Sequence, residues 1–336
     1  MKRNRRDGNA SVDLLAGTKD QSLNGIAKRL LANNFDANSL RTNDVLLYDE
    51  WKEIDKAVLQ AAQQRLIGVA DLLSRGLTYT LDGLKKTVLG YQDAGEIEAA
   101  ELSMDGLTKS RKDRPVYNTN YLPLPIIHKD FDLSARQLNE SREGNQPLDT
   151  TMASLSGRMV AEKAEEMLFL GSSSFTFGGG TIYGYTDHPQ RNQFSLQVQW
   201  DSSSATGEKI LQDVRDMKQA SISDRHYGPW VLYIPTNYET VMDDDFKSNS
   251  DKTIRQRVLE IEGIQDIKVA DKLTANAVLL VQMTPDVVRI VQGLNITTVD
   301  WETEGGMQLN FKVVAILVPQ IRVDQNGRSG IVHGAP

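Results

Sequence analysis

The chain has 336 residues, of which 40% are hydrophobic and 25% charged, a composition typical of soluble globular proteins with two domains or one large elaborated domain. It has no cysteine, which excludes disulfide frameworks, thiol catalysis and thiolate metal sites. The formal net charge of −7 argues against nucleic-acid binding by the molecule as a whole. The longest apolar runs are far shorter than the ~20 residues that cross a bilayer, so no membrane partner is predicted.

Residues 1–45 are predicted to form an N-terminal extension that is partly disordered. It begins with four basic residues, Lys2, Arg3, Arg5 and Arg6. Such a charge run is most simply a solvated tail, and the alternative is a tethered arm that contacts phosphate groups or an acidic partner. Residues 23–35 (LNGIAKRLLANNF) predict one short amphipathic docking helix with the apolar residues Leu23, Ile26, Leu30 and Leu31.

A long amphipathic pattern begins at Asp49. Apolar residues recur at steps of three and four from Trp51 to Leu73, which predicts one helix of about seven turns with a single buried face. Gly76 is a typical helix terminator, and the alternating run LTYTL that follows predicts a short strand.

Residues 90–121 lack a pattern that faces a core. They contain few large apolar residues and many charges. A stretch of this length inside a compact domain is either disordered or packed against something outside its own chain. The alternating run IIHKDFDL follows Pro123 and Pro125, and proline removes a ladder donor, so we expect this strand at a sheet edge or entering one. Residues 90–130 are therefore predicted to form a long two-stranded excursion.

A second long helix is predicted over residues 147–170. Pro147 and Asp149 suit its start, and Gly171 suits its end. Its apolar stripe is predicted to contain Leu148, Met152, Leu155, Met159, Val160, Met167 and Leu168. The opposite face is charged and contains Arg158, Glu162, Lys163, Glu165 and Glu166.

Three consecutive glycines, Gly178 to Gly180, follow this helix. A phosphate-binding loop needs a lysine and a hydroxyl residue directly after the glycines, but Thr181 and Ile182 stand there. The dinucleotide fingerprint needs a preceding strand, whereas here a helix precedes. The glycines therefore indicate a sharp connecting turn.

The second half of the chain resembles a separate α/β unit. A helix is predicted over residues 207–221, and WVLYIP and AVLLVQM are predicted buried strands. None of the four histidines has a second ligand at metal-binding spacing, and no nucleophile elbow is present. No catalytic, cofactor or metal site is predicted, so we expect a protein that is not an enzyme.

Four segments occur in an order that is similar to a known family: YDEWKEIDKAV, LPLPIIHKDFDLSARQL, LDTTMASLSGRMVAEKAEEMLFLG and IYGYTDHPQRN. Together they resemble the encapsulin-like (linocin-type) branch of tailed-phage major capsid proteins. The likeness runs from about residue 46 to the C-terminus.

The resemblance implies an α+β protein with the Hong-Kong-type capsid fold. Residues 1–45 would be the N-terminal arm, and residues 46–89 the first helix and the start of the peripheral domain. Residues 90–125 would be an extended loop that lies over a neighbouring subunit. Residues 126–180 and 311–336 would form the peripheral domain with a spine helix at 147–170. Residues 181–310 would form the axial domain.

The resemblance also implies a function. The chain would be a structural, non-catalytic major capsid protein that self-assembles, as pentamers and hexamers, into an icosahedral shell around phage double-stranded DNA. Encapsulins typically begin almost at the first helix, and the additional basic arm favours the phage capsid. The alternative is the shell of an encapsulin-type nanocompartment that encloses a cargo enzyme. The predicted location is the virion capsid, assembled in the host cytoplasm.

Two groups of residues are predicted to make contacts. In the extended loop, charge pairs with neighbouring subunits are expected from Arg111, Lys112, Asp113 and Arg114. In the arm, non-specific contacts with packaged DNA or with a scaffold are expected from Lys2, Arg3, Arg5 and Arg6. Portal and decoration proteins are further candidate partners, and no cofactor is expected.

Overall fold

The computed structural model describes residues 48–64, 66–94, 104, 117–134, 136–137, 149–247, 251–304, 307–324 and 326–336. The α-helices in these ranges are α1 (Tyr48–Gln63), α2 (Gly68–Ser74), α3 (Thr151–Phe169), α4 (Gly207–Ser223), α5 (Glu239–Asp243) and α6 (Ile254–Leu259). The first strands are β1 (Thr78–Thr80), β2 (Val88–Ala94), β3 (Tyr117–Pro123), β4 (Ile127–Ser134), β5 (Ser172–Phe177), β6 (Gly180–Ile182) and β7 (Asn192–Ser195). The later strands are β8 (Trp230–Ile234), β9 (Ile264–Val269), β10 (Val278–Gln282), β11 (Val288–Thr303), β12 (Gln308–Ile321) and β13 (Ile331–Ala335).

The first sheet has four strands in the order β1-β11-β12-β4. Its centre is a long antiparallel hairpin of β11 and β12, and β4 lies at one edge. This confirms the edge position that Pro123 and Pro125 predicted for the strand after them. Phe131 of β4 is opposite Phe311 of β12, and their rings stack with centroids 4.9 Å apart. Trp51 of α1 packs on Phe311, so α1 covers this sheet.

Helix α3 packs along α1 through small residues. The buried small side chains of α3 are Ala153, Ser156, Gly157, Ala161 and Ala164. A Cβ atom at Gly157 would lie 2.6 Å from the backbone oxygen of Val58 in α1. The two helix backbones therefore approach each other so closely that this position has no room for a side chain.

The second sheet has five strands in the order β7-β13-β10-β8-β9. Strands β8 and β10 are buried at every residue, as expected for central strands covered on both faces. Helix α4 packs beside this sheet and contributes Val214 and Met217 to its core. The predicted helix over residues 207–221 and the two predicted buried strands are thus confirmed.

Two strands pair across the predicted domain boundaries. Residues 181–310 were predicted to form one domain, but β11 within that range belongs to the first sheet with β12. Residues 311–336 were assigned to the other domain, but β13 pairs with β10 and β7 in the second sheet. The physical reason is that β10 is fully buried, so its outer backbone groups need a hydrogen-bonding neighbour, and β13 provides one.

The predicted single helix from Asp49 to Leu73 is two helices. Helix α1 ends at Gln63, and α2 begins at Gly68. The apolar face continues across the break because Val69 and Leu72 are buried in the same core as Val58. The predicted termination is confirmed, since Gly76 follows α2 with a φ of +70°.

Candidate assembly surfaces and the junction between the sheets

Strands β2 and β3 form a two-stranded antiparallel ribbon that leaves the first sheet. Val88 is opposite Pro123 at its base, and Ala94 is opposite Tyr117 at the outer end of the described part. Leu89 and Leu122 near the base are buried in the core, whereas β3 is exposed from Tyr117 to Thr119. The two-stranded excursion predicted from the sequence is confirmed for these residues.

The three glycines shape a hairpin that supports the base of the ribbon. Strands β5 and β6 pair, and the turn between them consists of Gly178 and Gly179 with φ values of +60° and +81°. A Cβ atom at Gly178 would lie 2.6 Å from a methyl group of Val88, and one at Gly180 would overlap the backbone oxygen of Tyr121. The predicted sharp turn is confirmed, and the glycines also allow the turn to contact the ribbon backbone.

Four aromatic side chains, two on β3 of the ribbon and two on β5 of the hairpin, are exposed, and we call them the aromatic patch. Its members are Tyr117, Tyr121, Phe175 and Phe177, each between 42% and 57% exposed. Large apolar side chains that are exposed together typically mark a surface that contacts another molecule. The four charged residues predicted to contact neighbours, Arg111, Lys112, Asp113 and Arg114, lie outside the described residues, as do the basic residues Lys2, Arg3, Arg5 and Arg6.

Helix α3 exposes three of the apolar residues that were predicted to lie on one stripe, whereas Val160, Met167 and Leu168 of that stripe are buried. Met152, Leu155 and Met159 are between 42% and 49% exposed and follow one another at steps of three and four. We call them the exposed α3 stripe. The prediction was wrong here because the small residues on the opposite side of α3 allow a closer approach to α1 than these long side chains would.

Glu165 of α3 lies on the buried side of the helix, although the sequence placed it on the charged exposed face. Its carboxylate accepts hydrogen bonds from the backbone N–H groups of Ile67, Gly68 and Val69, at 3.2, 2.5 and 3.2 Å. These are the first donors of α2, which has no local side-chain cap. Glu165 therefore caps a helix that is distant in sequence, and this explains why the chain can begin a new helix at Gly68.

The environment of Glu165 favours its protonated form. Burial raises the pKa of this carboxyl from its ordinary value of 4.5 to about 7, although the three backbone hydrogen bonds act in the opposite direction. The nearby carboxylate of Asp271 also raises this pKa. Beside Glu165 is a cavity of about 190 Å³ lined by Ile67, Arg158, Glu162, Glu165, Asp271 and Lys272. The sequence signal for the burial was its spacing: Glu165 follows Ala161 and Gly157 at steps of four.

A second buried carboxylate joins α2 to the second sheet. Asp71 accepts hydrogen bonds from Lys268 Nζ at 2.8 Å, from Arg75 Nε at 2.9 Å and from Tyr233 Oη at 2.9 Å. Lys268 and Tyr233 belong to β9 and β8, so this cluster connects the two units. Burial by itself raises the pKa of Asp71, but the hydrogen bonds from Lys268, Arg75 and Tyr233 hold it below its ordinary value.

Replacing Asp71 with asparagine is expected to lower the free energy of unfolding at pH 7 by about 3 kcal/mol, since breaking a buried charge pair leaves Lys268 with only the more distant Asp266, at 3.8 Å. A depressed pKa means that the ionised carboxylate stabilises the fold above its ordinary pKa of 3.8, and that this contribution is lost as the pH falls below it. The difference between wild type and Asp71→Asn in chemical denaturation should therefore shrink in strong acid. The control Asp82→Asn removes an exposed pair with Lys85 and should change nothing. An equal loss in both variants would contradict the prediction.

Two of the four histidines, His188 and His333, accept hydrogen bonds within the fold. Burial lowers the pKa of His188 to about 4, and its Nδ1 accepts from the backbone of Gln190. His333 Nδ1 accepts a hydrogen bond from Arg191. Within the described ranges, no group of three metal-ligating side chains comes together. In the same ranges, every helix is too short or too polar to cross a bilayer.

Comparison with known sequences identifies a matching family and a related protein. A family model described as "Family of unknown function (DUF6260)" matches residues 38–334. A curated relative, the type 1 encapsulin shell protein EncA of Myxococcus xanthus strain DK1622, is 25% identical over 227 residues, which is 65% of this chain and 69% of the relative.

Two solved structures are similar over almost their whole length. The virus-like particle from Pyrococcus furiosus gives a TM-score of 0.62 at 19% identity and covers 85% of this chain and 98% of its own. The capsid of Myoviridae phage XM1 gives 0.59 at 11% identity and covers 88% and 97%. The predicted α+β Hong-Kong-type capsid fold is confirmed, and so is the resemblance to its encapsulin-like branch.

Proposed function

The chain belongs to the family described as "Family of unknown function (DUF6260)", and from this premise and its capsid fold we propose that it is the major capsid protein of a tailed phage. In this role it self-assembles into an icosahedral shell around double-stranded DNA. The role is structural, and the protein performs no catalysis.

The observation that carries the proposal is the ribbon with its exposed aromatic patch. An isolated two-stranded ribbon is at best marginally stable in water. Among the described residues of the ribbon, Leu89 and Leu122 are buried in the core and Tyr91 packs against it, whereas β3 is exposed from Tyr117 to Thr119. A neighbouring copy that covers Tyr117 and Tyr121 would supply the missing contacts. Closed shells repeat such heterologous contacts around their symmetry axes.

Contacts of this kind suit a large assembly. A stable protein interface buries on the order of 1,200–2,000 Å² in total. A ribbon that lies over a neighbour adds interface area without enlarging the core of its own subunit. Charge pairs at Arg111 to Arg114 would then set the register between copies, and each exposed pair would contribute only ~0–1 kcal/mol.

The contents of the shell distinguish two candidate functions. The four basic residues at the start of the arm favour DNA, because Lys and Arg bind phosphate groups without reading sequence. The curated relative favours the second candidate, because it is named as an encapsulin shell protein. We retain DNA packaging as the primary proposal and a shell around a cargo protein as the alternative.

Particles isolated from the native producing cells test the contents directly. Shells that protect DNA from added nuclease are the expected result. Shells that contain no DNA and co-purify with a single protein cargo would replace the primary proposal with the alternative. A protein that stays monomeric under all assembly conditions in negative-stain microscopy would reject both.

The double substitution Tyr117→Asp with Tyr121→Asp is expected to abolish shell formation, because each new carboxylate would have to be buried unpaired at the interface. The subunit fold should persist, since both side chains are exposed. Size-exclusion chromatography and negative-stain microscopy measure assembly, and circular dichroism measures the fold. The matched control, Tyr117→Phe with Tyr121→Phe, keeps the aromatic surface and should assemble. Normal shells from the aspartate variant would show that the ribbon does not carry assembly.

A further inference from the structure

None of the described residues covers the exposed α3 stripe. Met152, Leu155 and Met159 lie on one face of a helix whose opposite face is packed against α1. Toward the C-terminal end, the same exposed side becomes charged, with Lys163 and Glu166 paired at 2.9 Å. The apolar part is thus confined to the N-terminal half of the helix. It is a short apolar surface of about 10 Å along the axis, flanked by the ion pair of Arg158 with Glu162.

The direction of the helices shows where the segment before Tyr48 joins the described structure. Val58 of α1 lies against Gly157 of α3, and Gly68 at the start of α2 lies against Leu168 and Phe169. Both segments therefore advance along α3 in the same direction and by nearly equal numbers of residues. Tyr48, ten residues before Val58, consequently lies at the level of the N-terminal end of α3. Residues 1–47 thus join the described structure near the end of α3 that carries the exposed α3 stripe, although α1 itself lies on the opposite face of α3.

The sequence before Tyr48 contains a segment of matching size and chemistry. Residues 23–31 place four apolar side chains at helical spacing and would span about 12 Å as a helix. Residues 36–47 form a connection of up to about 40 Å when extended, which is ample for a return along α3. We propose that residues 23–35 dock as an amphipathic helix on Met152, Leu155 and Met159 of the same subunit.

Two other occupants fit less well. DNA needs positive charge, but the two basic side chains next to the exposed α3 stripe are already paired, Arg158 with Glu162 and Lys163 with Glu166. A second copy would have to compete with a segment of the same chain. A tethered segment acts at a high effective concentration, about millimolar for short flexible connections. The intramolecular contact therefore has the entropic advantage, whether or not the subunit forms a shell.

Disulfide trapping tests the contact in the full-length chain, which has no native cysteine. Leu30→Cys combined with Leu155→Cys should oxidise to an intramolecular disulfide, which migrates as a monomer on a denaturing gel without reductant. Peptide mass spectrometry should then identify the link between positions 30 and 155. The matched control combines Leu155→Cys with Arg29→Cys, on the polar side of the same segment, and should oxidise far more slowly. Disulfides between chains, free thiols, or equal oxidation of both pairs would overturn the proposal.

Methionine oxidation gives a second readout that needs no new cysteine. Docking should protect Met152 and Met159 from dilute peroxide, and Ile26→Asp with Leu30→Asp should remove this protection. The expected increase in oxidation rate is about tenfold, which corresponds to 1.4 kcal/mol of docking free energy. Met307, which is 65% exposed and lies in the turn between β11 and β12, serves as an internal reference that should not change. Equal rates at Met152 in both proteins would contradict docking.

Discussion

Replacing Glu165 with alanine is expected to lower the free energy of unfolding by about 3 kcal/mol. The substitution removes the acceptor for the backbone N–H groups of Ile67, Gly68 and Val69, and each buried donor left unsatisfied costs roughly 1–3 kcal/mol. Removing a buried carboxylate offsets part of this loss of stability. Water that enters through the adjacent cavity offsets a further part. Chemical denaturation of unassembled subunits, followed by circular dichroism, measures the change.

The control for this variant is Glu165→Gln. A glutamine oxygen in the place of Oε1 can still accept from Ile67 and Gly68, and only the bond to Val69 is lost. The glutamine variant should therefore retain most of the stability that the alanine variant loses. A loss as large in glutamine as in alanine would show that the charge, and not the capping of α2, is what matters at this position.

Comparison of wild type with Glu165→Gln measures how the contribution of Glu165 to the free energy of unfolding depends on pH. Its pKa in the fold is about 7 and its ordinary value is 4.5, so between these values the folded state binds more protons than the unfolded state. Wild type should therefore lose stability relative to Glu165→Gln as the pH rises from about 4.5 to 7, by up to about 3 kcal/mol. His188, whose pKa is lowered to about 4, acts in the opposite direction, but its effect is common to both proteins and cancels.

Gly157→Val is expected to have an effect of similar size, about 3 kcal/mol, through overpacking. A Cβ atom at this position would lie 2.6 Å from the backbone oxygen of Val58 and 3.0 Å from its Cα, and neither atom can move without displacing α1. The same displacement would disturb the contact of Trp51 with Phe311 on the first sheet. Thermal unfolding, read as a lower Tm, measures the loss.

A glycine with free space around it provides the comparison. Gly90 in the ribbon has no atom closer than 3.7 Å to a Cβ built on it. Gly90→Val should therefore leave the Tm almost unchanged. If both valine variants were equally destabilised, the close approach of α1 and α3 would not be the cause.

Helix and strand positions could be predicted well where one local pattern decided them. Strand β8 was found from a continuous apolar run, and the end of α3 was found from Gly171, which has a φ of +75°. A sharp turn was predicted from the three consecutive glycines Gly178 to Gly180, and the structure has the turn of the β5–β6 hairpin there. In each case the determining residues are neighbours in the chain, so sequence patterns contain the necessary information.

The candidate assembly surfaces could be predicted only in outline. A long excursion around residue 90 was expected because its sequence lacks a core-facing pattern, and the ribbon from Val88 to Pro123 confirms its base. The aromatic patch was missed, because the exposure of Phe175, Phe177 and Tyr121 depends on how the hairpin packs on the ribbon, where Gly180 contacts the backbone of Tyr121. Charged residues were easier to select than exposed aromatic ones, whose exposure a linear pattern does not report.

The sequence by itself determined the amphipathic segments, the sharp turns, the lack of thiol chemistry and the class of fold. Only the tertiary structure decided where the first helix breaks, which face of α3 is buried and which sheet receives β11 and β13. The reason is that these outcomes depend on contacts between distant residues. Gly68 and Glu165 are 97 positions apart, and their hydrogen bond outweighs a periodicity that would have continued the helix. Likewise, the fit of Gly157 against Val58 outweighs the greater hydrophobicity of Met152 and Met159.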